Sequence, residues 1–96
     1  MKKPFTPREA VCQYMGWSYD EAPDYRYHHG MTKTPIYSMS DGYVCALPNG
    51  KKVPKADEEY INNYDDDRQF VEATGDIAEY CKSRGKTIWI FFSESK

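Results

Sequence analysis

Residues 35–51 read Pro35-Ile36-Tyr37-Ser38-Met39-Ser40-Asp41-Gly42-Tyr43-Val44-Cys45-Ala46-Leu47-Pro48-Asn49-Gly50-Lys51. Asp41-Gly42 and Asn49-Gly50 are preferred two-residue hairpin turns, because both central positions of such a turn need φ > 0. They bracket a strand at 43–48 and require neighbours at 35–40 and 51–55. With two-residue loops Met39 should oppose Val44, Tyr37 should oppose Ala46, and Ala46 should oppose Val53. One face then carries Tyr37, Met39, Val44, Ala46 and Val53. The other carries Ile36, Ser38, Ser40, Tyr43, Cys45, Leu47 and Lys52. The first face is the drier one and is expected to meet the core.

Downstream of this meander, residues 57–84 read as helix. Tyr60, Tyr64, Phe70, Val71, Thr74, Ile77, Ala78 and Cys81 fall on one stripe at 100° per residue. Asp67 lies inside that stripe, which predicts a break at 65–67 with one of the aspartates capping a second helix. Gly75 is expected to weaken this helix without ending it. Lys82, Arg84 and Gly85 form a stop signal. Residues 86–93 follow as a strand, β-branched and aromatic from Thr87 to Phe92, which suits burial on both faces.

Upstream, Thr6-Pro7-Arg8-Glu9 combines a cap, a preorganised first helical residue and the acid of a capping box. It predicts a helix over 7–15, ended by Gly16 in the left-handed region. Residues 17–33 show no periodicity. A stretch of that length is either functional or holds elements the pattern does not reveal. The expected architecture is α+β: a small single domain over 1–96, with a three-stranded antiparallel meander plus a C-terminal strand, packed as one layer against two or three helices.

Composition agrees. The chain has 96 residues, 40% of them hydrophobic and 16% aromatic, too apolar for a disordered segment. One domain of this size buries roughly 60–65% of its unfolded surface. Cys12, Cys45 and Cys81 are odd in number and form no CxxC pair, so they read as reduced core fillers. Lys2 and Lys3 are not followed by the apolar run of a signal peptide. The longest apolar run, Ile88 to Phe92, falls well short of the roughly 20 residues that span a bilayer. A soluble, cytoplasmic protein with no membrane partner is expected.

Charge is uneven along the chain. Residues 1–55 hold 8 basic and 5 acidic side chains, residues 56–80 hold 1 and 9, and residues 81–96 hold 4 and 1. On a continuous helix Glu58, Asp65, Glu72, Asp76 and Glu79 would fall within about 60° of one another, with charges about 10.5 Å apart at seven-residue steps. The helix macrodipole accounts for Asp57, Glu58 and Glu59 at a helix start. It does not account for Glu72, Asp76 and Glu79, which form either a solvated side or a face for a basic partner. Such a face speeds association with basic proteins, nucleic-acid-binding ones included.

The second unusual feature is Asp24-Tyr25-Arg26-Tyr27-His28-His29-Gly30. Tyr and Arg are frequent interface anchors. Adjacent histidines on an extended chain point to opposite sides, so they make a poor metal pair. The sequence has no glycine-rich phosphate loop, HExxH or nucleophile elbow, so neither catalysis, a metal nor a cofactor is expected.

The leading functional expectation is a non-catalytic inhibitor that masks a basic surface of a partner protein, nucleic-acid-binding surfaces included. Phages and mobile elements use small antagonists of this class against host defences. The contact residues would be Glu58, Asp65, Glu72, Asp76 and Glu79, with Tyr25, Arg26 and Tyr27 as anchors. A second reading is a nucleotide- or nucleic-acid-binding module built from Tyr25–His29 with Lys51, Lys52 and Lys55. A third is a structural subunit or homodimer joined through the C-terminal strand.

Overall fold

Thr6 starts the first helix as its local chemistry dictates. The Glu9 amide donates to Thr6 Oγ1 (3.2 Å), and the Thr6 amide donates to Glu9 Oε1 (2.9 Å). Helix α1 spans Pro7–Met15 and closes on Gly16 at φ 77°. Both bounds match the sequence reading. The computed structural model describes residues 5–20, 26–39, 42–62 and 69–92.

After α1 come strands β1 (Arg26–His29), β2 (Pro35–Met39) and β3 (Gly42–Pro48). Helix α2 (Lys55–Asn62), strand β4 (Val71–Glu72), helix α3 (Asp76–Ser83) and strand β5 (Lys86–Phe92) complete the described elements. The five strands form one antiparallel sheet in the order β1-β2-β3-β5-β4. The α+β class stands, with five strands where a meander plus one was expected.

The meander is real but begins one strand earlier. The unpatterned stretch 17–33 contains β1, which pairs with β2 from Arg26↔Ser38 to His29↔Pro35. Residues 51–55 are not a strand. Asn49-Gly50 does turn the chain, with the Lys51 amide on the Pro48 carbonyl (3.1 Å). The place beside β3 is taken by β5, which pairs with it over seven residues from Gly42↔Phe92 to Pro48↔Lys86. Lys51 and Lys52 offer little apolar surface in competition with Ile88, Ile90 and Phe91. Pro54 instead opens α2, its carbonyl accepting from the Asp57 and Glu58 amides (3.0 Å each).

Register between β2 and β3 differs by two residues from the tight-turn expectation: Tyr37 faces Val44, not Ala46. An even slip keeps each residue on its face. Tyr37, Val44 and Ala46 therefore share a core with Ala10 and Val11 of α1, Cys81 of α3, and Ile88 and Ile90. Val53 does not join them. It packs with Ile36, Cys45, Leu47, Phe70 and Phe91 in a second core on the opposite face, where Ile61 of α2 also lies. Apolar side chains therefore pack on both faces of the sheet, where one packed face was expected. β5 lies inside the sheet, which explains its lack of polar alternation.

Residues 69–75 are not helical. Val71↔Ile90 and Glu72↔Trp89 hold them at the sheet edge, and the Ala73 amide donates to the Ile88 carbonyl (2.9 Å). Gly75, at φ 105°, is the residue before α3 rather than a point inside a helix. The proposed break at 65–67 lies outside the described residues. With the long helix gone, Tyr60, Val71 and Ile77 lose the shared stripe expected of them and are exposed.

Candidate functional site

The structure separates the residues that the sequence grouped. Glu58 sits on α2, Glu72 on β4, and Asp76 and Glu79 in the first turn of α3. Helix α3 packs on β5 and α1, whereas α2 places Ile61 against the second core on the other face. The single acidic stripe therefore does not form, because no continuous helix carries it. Asp65 and Tyr25 lie outside the described residues.

Arg26 and Tyr27 are on β1, at the sheet edge opposite β4. Four strand spacings of about 4.8 Å put those edges roughly 19 Å apart, so Arg26 and Tyr27 do not join the acidic residues at β4 in one contact patch. The Tyr27 ring packs on Tyr37 at a centroid distance of 5.1 Å, and its hydroxyl lies 3.2 Å from His29 Nε2. His28 lies on the other face, with Nε2 2.9 Å from Ser38 Oγ. The two rings diverge as an extended chain requires. Among the described residues no three His, Cys, Asp or Glu side chains gather as a metal site.

Glu72 is held by the chain itself. Its carboxylate pairs with Lys82 Nζ at 2.6 Å across the β4–α3 connection. Hydrogen bonding and charge from Glu72, aided by Glu79, raise the Lys82 pKa. Glu72 is therefore a neutralised edge residue rather than a free carboxylate.

What remains outward on α3 is a mixed surface. Ala78 and Cys81 point inward and are buried. Ile77 (41% exposed) and Tyr80 (43% exposed) lie beside the carboxylates of Asp76 and Glu79. Phe5 extends this surface, meeting the Tyr80 ring edge-on at 6.2 Å, with the Arg84 guanidinium 5.4 Å over the Phe5 ring centroid. Gly75 supplies no side-chain cap, so Asp76 and Glu79 complement the helix start through charge alone.

Asp57, expected as an ordinary first-turn acid, is fully buried. Its carboxylate accepts from the Thr32 amide (2.9 Å) and from the hydroxyls of Thr32 and Thr34. Burial pushes its pKa up, but donors from Thr32, Thr34 and Met31 outweigh this and hold it below its ordinary value. Asp57 thereby ties α2 to the β1–β2 turn. No local pattern marks this, since the partners lie more than twenty positions away in the chain.

The three cysteines are buried and free. Desolvation pushes the Cys45 thiol up to about 12 and raises Cys12 and Cys81 too, so none is primed as a nucleophile. No helix among the described residues is long and apolar enough to cross a membrane. β5, the strand on which the third reading of the sequence rests, pairs with β3 over seven residues on one side and with β4 at Trp89 and Ile90 on the other.

No family model matches the chain, and neither a curated protein nor a solved structure matches it significantly. Fold and surface chemistry alone define it: an α+β protein with a five-stranded antiparallel sheet and an acidic, partly apolar helix facing outward.

Proposed function

We propose that this chain is a non-catalytic binding protein that masks a basic surface of a partner protein, with the outer side of α3 as the contact face. The observation that carries this reading is the exposure of Ile77 and Tyr80 beside Asp76 and Glu79 on one short helix. Neither carboxylate closes an ion pair with a described residue. The helix dipole favours the two acids but gives no reason to expose an isoleucine and a tyrosine between them. Apolar and aromatic anchors provide contact energy, while flanking charge provides steering and partner choice. Proteins that handle nucleic acids present the matching basic surface, and a small antagonist of the phage type is the fitting class.

Capture from lysate of the source cells tests this. The wild-type chain should retain a partner at low salt and lose much of it at high salt. Asp76→Lys with Glu79→Lys should abolish capture, and Tyr80→Ala should weaken it more than tenfold, about 2 kcal/mol. A partner held equally by wild type and the double charge reversal would overturn the assignment.

A further inference from the structure

A groove runs over the Trp89 face of the sheet beside the β4 edge. Two cavities of about 350 and 440 Å³ adjoin there and share Lys52, Glu72 and Trp89 in their walls. Lys51 and Lys82 border the first, and Lys55 and Glu58 the second. We propose that this groove binds the phosphate group of a small-molecule ligand, with the Trp89 indole N–H donating to a phosphate oxygen and Lys51, Lys52 and Lys55 supplying the charge.

Two observations converge on it. Trp89 Nε1 is shielded from water and has no hydrogen-bond acceptor among the described residues. An orphaned donor of this kind is costly, and an incoming acceptor relieves the cost. The groove also carries an excess of positive charge. Glu72 is already neutralised by Lys82, and Lys51, Lys52 and Lys55 close no ion pair with a described residue. Glu58 alone opposes them.

Phosphate suits this arrangement better than a simple carboxylate. A dianion gathers several ammonium groups at once, and lysine binds phosphate as a mobile point charge. Lys52 borders both cavities and is exposed, so its stem can swing aside to admit an oxygen to the indole. The neighbouring Phe70 is buried against Phe91, which leaves Trp89 as the aromatic wall.

The test follows the indole proton itself. Trp17→Phe leaves Trp89 as the sole indole signal in a proton–nitrogen correlation spectrum. Titration with pyrophosphate should move that signal downfield to saturation, whereas acetate at matched ionic strength should not. Lys52→Gln should weaken saturation at least tenfold, and the triple change at Lys51, Lys52 and Lys55 to Gln should remove it while the remaining amide signals stay in place. Tighter binding of a nucleoside diphosphate than of pyrophosphate supports the site as a nucleotide site, and equal binding supports it as one for free phosphoanions. A shift that never saturates, or that survives intact in the triple variant, overturns the proposal.

Discussion

The carboxylate of Asp57 lies against the α-carbon of Gly30, so close that a β-carbon at position 30 would overlap it. Gly30 is thus required by packing rather than by its backbone angles. It lets the first turn of α2 approach the β1–β2 turn, whose Lys33 sits at φ 66°. Gly30→Ala should force the carboxylate away and break its bonds to Thr32 and Thr34. A loss of about 2 kcal/mol or more is expected, read as a lower urea midpoint with unchanged slope. An unchanged midpoint would show that the contact has no such role.

Acidification should expose the same interaction. The folded pKa of Asp57 lies below its unfolded value. Its contribution is therefore complete above the unfolded pKa of about 3.9 and fades as pH falls through the folded value. Asp57→Asn should be less stable than wild type at pH 7, and the gap should narrow below about pH 4. Urea titrations of both proteins at pH 7, 4 and 2.5 measure it. A gap that widens on acidification contradicts the sign.

The Glu72–Lys82 pair should matter little for folding. Both side chains are over two-fifths exposed, and water and salt screen such a pair. A double-mutant cycle with Glu72→Gln and Lys82→Met should return a small coupling that shrinks in high salt. A large coupling that salt leaves unchanged would mean the pair is sealed from solvent.

Ile88 lies in the middle of β5, opposite Ala46, and is 1% exposed. Ile88→Ala should destabilise by about 2–5 kcal/mol through lost burial and a residual cavity. Chemical denaturation is the measurement, and a cost below about 1 kcal/mol would place the residue outside the true core.

Native cysteines should resist alkylation. With burial holding all three thiols protonated near neutral pH, iodoacetamide should label them slowly in buffer and completely in urea, as mass spectrometry can count. Rapid labelling of Cys45 in the native protein would be incompatible with its buried position.

Local signals in the sequence were enough for α1, its two caps, the strand at 43–48 and the faces of the central strands. Each depends on dihedral preferences or on period-two alternation within a few residues. The face assignment survived a two-residue register slip because alternation repeats every two residues. Tertiary structure alone decided which strand lies beside β3, that 69–75 leaves the helical path, and that α2 crosses to the other face. Those outcomes are competitions between distant segments for apolar burial and backbone pairing, and β5 wins by its seven apolar-rich pairs. The same physics dispersed the acidic residues and joined Asp57 to Thr32 and Thr34. Charge patterning describes a face only when the backbone beneath it is known, and here long-range pairing set that backbone.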